Sequence, residues 1–420
     1  MRNAWKIAEL RKKILFTLLI ILLYRLGNAV PVPYVNVESL GQYFNQMQNT
    51  IFGLLNVMSG GAFSNATIFA LSIQPYINSS IIIQLLCIAI PALERMSKDE
   101  GEEGKKKIAS ITRYTTVAIG LIQGFAYYMM INRAGFLTAD GTTVWAAIVI
   151  ILTFTSGSAL IMWLGEQITE FGIGNGISII LFASIISRFP TDIYRMISSC
   201  AQGTTPVWVT ILMLFGALLM IVLIVWINDS ERRLPVQYAK RVVGRKMYGG
   251  QSTHLPMKVN MSGVLPIIFA QSIASIPATI CAFAGKADSV WASTTSLGYA
   301  IAYFLLIVFF SYFYSTIQFN PIEVANNLKK NGGYIPGFRP GKPTSEFIKK
   351  VLNKITLFGA IYLSIIAVVP ILVAHFSEEA SLSGVSLGGT SIIIVVGVAL
   401  ETVRALEAQM LMRNYKGFLS

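Results

Sequence analysis

Histidine and cysteine side chains bind metals, relay protons or attack carbonyls, and in this 420-residue chain they number two and three and are singly placed. There are two histidines, His254 and His375, both expected in loops and neither in a ligand-like set. Cys87 and Cys281 fall in apolar stretches and Cys200 in a loop, which points to neither a disulfide nor a redox motif. The run Gly172-Ile-Gly174-Asn-Gly176 has the glycine density of a phosphate-cradling loop, but no strand precedes it and no P-loop lysine follows. It reads as a tight turn between two apolar helices. The residues present therefore predict no enzyme, no catalytic group, no metal and no cofactor.

The elements that carry these residues are apolar. Hydrophobic residues make up 54% of the chain, charged ones 13%, and mean hydropathy is +0.63. That leaves too little polar surface for a soluble protein of this length. Ten apolar stretches run over residues 14–30, 69–91, 108–131, 144–164, 177–189, 206–227, 261–284, 297–319, 355–374 and 389–406. Most reach the ~20 residues a helix needs to cross ~30 Å of hydrocarbon. The first, preceded by Arg11, Lys12 and Lys13, has the pattern of a secretory signal peptide. With nine more stretches following, an uncleaved anchor is expected.

Lysine and arginine fall in alternate gaps. With the N-terminus in the cytoplasm, 28 of the 33 basic residues lie on the cytoplasmic side, so the positive-inside rule puts both ends there. The net charge of +13 is in part this topology signal. The two longest basic gaps, 229–260 and 320–354, exceed what orientation requires. They read as docking surfaces for an anionic partner such as ribosomal RNA, an acidic protein or lipid headgroups.

Between residues 14 and 319 the span interiors are read as free of Asp, Glu, Lys and His, with Arg25 their one charge; Glu401 is the main later addition. Ion-coupled transporters usually carry buried carboxylates, so that class is disfavoured. Arg25 reads as a side chain snorkelling to the external interface or pairing with backbone carbonyls. Between the first two spans, the apolar piece 51–58 ends in Ser59-Gly60-Gly61 and is too short to cross. It must lie at the interface or re-enter within protein. The fifth stretch, about 13 residues long, is also short for a span. Ile77 and Ile81 share a helix face, as do Leu181 and Ile185; Leu265 and Ile268 are spaced three apart, and Ile394 lies in the last stretch. By spacing alone these are ordinary packing positions.

Residues 56–86 (NVMSGGAFSNATIFALSIQPYINSSIIIQLL) and 163–180 (WLGEQITEFGIGNGISII) resemble the SecY family, the channel subunits of the bacterial Sec protein translocase. So do Tyr24-Arg-Leu-Gly27, Tyr238-Ala-Lys-Arg241, Gln251-Ser-Thr-His-Leu-Pro256 and Tyr334-Ile-Pro-Gly-Phe-Arg-Pro-Gly341. The likeness covers nearly the whole chain, in order.

This resemblance implies an all-α polytopic membrane protein. Ten transmembrane helices form two inverted, pseudo-symmetric five-helix halves, 1–198 and 199–420, closing as a clamshell around a central pore and hinged near 198–206. It implies a mid-membrane pore ring of Ile77, Ile81, Leu181, Ile185, Leu265, Ile268 and Ile394, in which two leucines stand where isoleucine is common. It further implies a plug at 52–65, including Phe52, Leu55, Met58, Gly60 and Gly61. A lateral gate would open between spans two and three and spans seven and eight, with Asn78, Gln84 and Gln271 at its seam and a weak Asn78–Gln271 hydrogen bond holding it. Arg233, Arg245, Lys246 and Arg339 match the family's docking positions for the SecA motor or the ribosome. The implied partners are SecE, SecG, SecA, the ribosome, signal-bearing polypeptides and membrane lipids. The implied place is the bacterial cytoplasmic membrane.

Two other classes stand beside this one. A secondary transporter of a small solute rests only on ten spans and a possible inverted repeat. A poreless membrane scaffold would tolerate polar residues at the ring positions.

Overall fold

The computed structural model describes residues 5, 7–46, 51–98, 101–203, 206–238, 241–243, 246–248, 252–261, 263–283, 293–379 and 389–416. In chain order the helices are α1 (Ala8–Gly27), α2 (Val37–Gln46), α3 (Ile51–Met58), α4 (Gln74–Ala89), α5 (Pro91–Lys98), α6 (Gly101–Arg133), α7 (Val144–Phe171), α8 (Gly176–Ile186) and α9 (Phe189–Ala201). After α10 (Val207–Asp229) come β1 (Glu231–Tyr238), β2 (Arg241–Val243), β3 (Lys246–Tyr248) and β4 (Ser252–Lys258). The chain continues through α11 (Leu265–Phe283), α12 (Leu297–Gln318), α13 (Pro321–Lys330), β5 (Gly333–Tyr334), α14 (Lys342–Glu379) and α15 (Gly389–Lys416).

All ten apolar stretches are helical: α1, α4, α6, α7, α8 with α9, α10, α11, α12, α14 and α15. Among the described residues, six helices are long and apolar enough to cross a membrane; α4 and α11 are apolar but shorter. Lipid-facing character is clearest on α10, where Leu212, Phe215, Leu218, Val222 and Trp226 are exposed. An apolar helix with that much bare surface belongs in hydrocarbon rather than water.

The structure corrects four expectations. The fifth stretch is not short. α8 pauses at Ser187 and Arg188, and α9 resumes with Pro190 in its first turn, so that Gly176–Ala201 spans 26 residues. Arg188 and Pro190 break the apolar run without ending the crossing, because proline is tolerated at a helix start. Second, Arg25 is not the one charge within span helices. Arg113 lies inside the 108–131 stretch and inside α6, and its Nε meets Glu166 Oε1 of α7 at 2.9 Å. Third, the histidines are not in loops: His254 lies in β4, and His375 in the last turns of α14.

Fourth, the fold is not wholly helical. The 229–260 gap folds as an antiparallel pair, β1 with β4 in the register Leu234↔Leu255 and Val236↔Thr253. β5, from the 320–354 gap, pairs with the other edge of β1, placing Gln237 opposite Tyr334. Leu234 and Val236 point inward with strand periodicity and pack with Met257, Ala325, Ile335 and Ile348. The two basic gaps thus build one compact unit with its own small core.

The turn between α7 and α8 shows why its sequence is glycine-rich. A Cβ on Gly176 would stand 2.0 Å from the Gly165 carbonyl oxygen, and Gly174 has φ +68°. Asn175 caps α8, its Oδ1 accepting from Ile177 N at 3.1 Å. The run is a tight turn.

Candidate pore, plug and gate

Four helices supply the seven aliphatic positions: α4 carries Ile77 and Ile81, α8 Leu181 and Ile185, α11 Leu265 and Ile268, and α15 Ile394. Six of them are buried in a single hydrophobic cluster, and Leu265 packs half-buried against it. α4 contacts α11, and α15 contacts α8, so this cluster joins the first five spans to the last five. These side chains contribute only branched hydrocarbon to the cluster.

The short helix α3 packs against both α8 and α11. Its two ends are held differently. Phe52 stacks on Phe63 and packs edge-on to Phe44, while Phe63 stacks on Tyr127 at 4.4 Å between ring centroids. This pile, with Leu55 against it, roots α3 in the outer part of the first five spans. At the other end Met58 joins the central cluster. Gly60 (φ +67°) and Gly61 (φ +91°) then reverse the chain. A Cβ on Gly60 would stand 2.9 Å from Ser184 O, so only glycine lets this turn lie against α8.

Polar groups from α1 face the same turn. Tyr24, fully buried, has its hydroxyl 2.7 Å from Ser184 Oγ and 3.4 Å from Ser59 O. Asn28 Nδ2 donates to Ser59 O at 3.5 Å, and Arg25 Nη1 to Gly60 O at 3.4 Å. Of the two readings of Arg25, this is pairing with a backbone carbonyl.

At the seam, α4 and α11 touch. Gln84 Nε2 donates to Ser80 Oγ one turn back on its own helix at 3.3 Å. Gln271 is 3% exposed and its Oε1 has no hydrogen-bond partner. The expected Asn78–Gln271 hydrogen bond is therefore not made here through that oxygen. A buried, unpaired amide carbonyl costs about 1–3 kcal/mol, which is the cost of Gln271 in this packing.

Of the docking positions, Arg233 is exposed on β1 with its Nε 2.7 Å from Glu231 Oε1. Lys246 lies in β3, and Arg245 lies outside the described residues. Arg339 is exposed on a turn built by Gly337 (φ +88°) and Gly341 (φ +104°), where Thr344 Oγ1 donates to its carbonyl at 2.8 Å. Phe338 stacks on Phe347 at 4.2 Å, fixing the turn to α14. A cavity of about 250 Å³ opens nearby among α10, α11, α12 and α15, lined by Asn228, Lys258, Asn260, Tyr314 and Glu401.

Sequence reasoning passed over Tyr24, Asn28 and Ser184, because a tyrosine, an asparagine and a serine in apolar stretches are individually unremarked. Only Tyr24 fell in a noted motif, Tyr24-Arg-Leu-Gly27, which by itself assigns it no role.

The family model for SecY matches residues 67–403. The protein translocase subunit SecY of Streptomyces galbus is 44% identical over 441 residues, covering 99% of this chain and 98% of that one. That of Mycobacterium tuberculosis is 41% identical over 440 residues, with the same 99% and 98% coverage. Among solved structures, a protein-conducting channel superposes with a TM-score of 0.67 at 17% identity, covering 95% of this chain and 92% of its own. Sec61 from the canine ribosome–channel complex gives a TM-score of 0.65 at 16% identity, again covering 95% and 92%. The ten apolar helices fit the clamshell of those channels, and over nearly its full length this chain is a member of the SecY family.

Proposed function

We propose that this protein is the protein-conducting channel of a bacterial Sec translocon. It passes unfolded polypeptides across the cytoplasmic membrane and releases apolar segments sideways into lipid. The observation that carries this reading is the cluster of aliphatic side chains from α4, α8, α11 and α15, with a short re-entrant helix packed between α8 and α11. A narrow apolar ring excludes hydrated ions by dewetting, yet flexible aliphatic side chains close around any extended chain. The ring is Ile77, Ile81, Leu181, Ile185, Leu265, Ile268 and Ile394, and the plug is 52–65.

Residues 1–198 and 199–420 act as the two halves of the clamshell, hinged near 198–206, with both chain ends cytoplasmic. The lateral gate lies between α4 and α6 on one side and α11 and α12 on the other. A signal helix leaving through it gains about 25 cal/mol per Å² of apolar area removed from water. The chain carries no nucleotide-binding loop, so the work comes from outside: SecA, or a translating ribosome, docking on the joint β1–β4–β5 unit and the Arg339 turn. SecE and SecG complete the assembly. Family membership removes the basis for the small-solute transporter reading.

Crosslinking tests this directly. With a polypeptide arrested in mid-passage, single cysteines at Ile81, Ile185 and Ile394 should crosslink to it, and cysteines at the lipid-facing Leu22 and Leu218 should not. Reaction only from the lipid-facing positions would end the channel reading. The gate assignment has its own test. Gln271→Leu removes the unpaired carbonyl and should favour the closed seam by about 1–3 kcal/mol. Translocation of substrates with weakly apolar signals should slow, while strongly apolar signals pass; unchanged stringency would show that Gln271 is not at the seam.

A further inference from the structure

We propose that Tyr24, Arg25 and Asn28 of α1 form a latch that holds the plug shut by its backbone carbonyls. The inference rests on the reading of 52–65 as the plug.

A helix ends in carbonyls that have no partner within it and in the negative end of its dipole. At the C-terminal end of α3 the chain's own turn satisfies some of them: Ser59 N bonds to Leu55 O, Gly60 N to Val57 O and Gly61 N to Asn56 O. The next carbonyls receive donors from outside the plug, Ser59 O also accepting from the plug's own Ala62 N at 3.4 Å. Met58 O accepts from Ser72 Oγ at 3.4 Å, Ser59 O from Tyr24 and Asn28, and Gly60 O from the Arg25 guanidinium. Tyr24 and Asn28 are one helical turn apart and Arg25 adjoins them, so a single edge of α1 presents all three donors. Arg25 also places a cation at the negative end of α3.

Proton counting shows how such a latch releases. Tyr24 OH, Ser184 Oγ and their neighbours offer two consistent arrangements. In one, Ser184 donates to Tyr24 and Tyr24 to Ser59 O. In the other, Tyr24 donates to Ser184 and Ser184 to Ile180 O, a contact of 2.8 Å. The second needs nothing from the plug. Both buried hydroxyls therefore keep an acceptor when the plug leaves, and withdrawal strands neither of them. The contacts to the plug are long, 3.4–3.5 Å, whereas the Tyr24–Ser184 contact that survives release is 2.7 Å. Asn28 Oδ1 is buried without a partner, which further limits how firmly the latch holds.

The test is ion leak through the resting, fully assembled channel in proteoliposomes, with and without residues 52–65. Tyr24→Phe and Arg25→Gln should each raise leak roughly threefold to tenfold, the size of one lost hydrogen bond. Arg25→Lys should restore part of the seal. In the channel lacking 52–65, leak should already be high and the same substitutions should add nothing. Ser184→Ala removes the alternative acceptor of Tyr24 and should leave leak at or below the parent level. If deleting 52–65 leaves the channel tight, the plug reading itself fails. If the deletion leaks but Tyr24→Phe and Arg25→Gln do not, the latch fails and the plug stands. Equal increases in both backgrounds would place the effect elsewhere and also overturn the latch. A rise in leak with Ser184→Ala would overturn the proton exchange.

Discussion

Replacing Ile81 and Ile185 together by asparagine should turn a resting channel that is tight to ions into a conducting one, while signal-bearing polypeptides still pass. Both side chains are buried in the central cluster, Ile81 from α4 and Ile185 from α8. An asparagine there puts an amide among hydrocarbon, and each unpaired amide costs about 1–3 kcal/mol in the closed packing. The same amides bind water readily, so the barrier set by dewetting falls as the closed state loosens. Two substitutions acting together should raise resting conductance at least about tenfold, given that 1.4 kcal/mol is a factor of ten and each amide supplies that order. Single-channel recording in planar bilayers measures it. Unchanged conductance would mean that these side chains do not surround the pathway, and the poreless scaffold would regain its place.

The second large effect is expected at Arg339. Its turn is held by Gly337 and Gly341 in positive φ, by the Thr344 hydroxyl on its carbonyl and by the Phe338–Phe347 stack. The guanidinium is therefore presented outward from a fixed base, and little entropy is lost when a partner binds it. A planar fork of donors suits phosphate and carboxylate alike. Arg339→Glu removes a charge-assisted contact of about 1.5–3 kcal/mol and adds repulsion against an anionic partner. Motor-driven translocation should fall by roughly a hundredfold, and ribosome or SecA binding to membranes with it. Lys349, exposed on α14, serves as the contrast: as one solvated charge it should change binding less than about threefold when reversed to glutamate. Equal losses at both positions would reduce the effect to net charge.

The helical content was legible because an apolar run in a membrane has essentially one stable backbone form, the helix. All ten stretches became helices. What blurred was their ends. α6 begins at Gly101, before the apolar stretch, and carries Arg113 within it, since a charge that finds Glu166 on the next helix does not have to mark a boundary. The fifth apolar stretch ends at residue 189, just before Pro190, while the helical segment continues in α9 to Ala201. The strands β1 and β4 are hard to read in the sequence because the alternation Leu234, Val236 covers only two apolar positions around Pro235, and becomes evident only once Met257 and Ile335 cover them. The seam hydrogen bond could not be read at all, because whether two amides on separate helices meet depends on angstrom-scale packing that spacing does not encode.

From the residue string alone came the membrane class and the ten apolar helices, since hydropathy is a property of composition and order. The meeting of α1 donors with the carbonyls after α3, the burial of an unpaired Gln271 and the joining of two distant basic gaps in one sheet came only from the tertiary structure. Each is a contact between segments far apart in sequence, and such contacts arise when helices pack, after every local preference has already been satisfied.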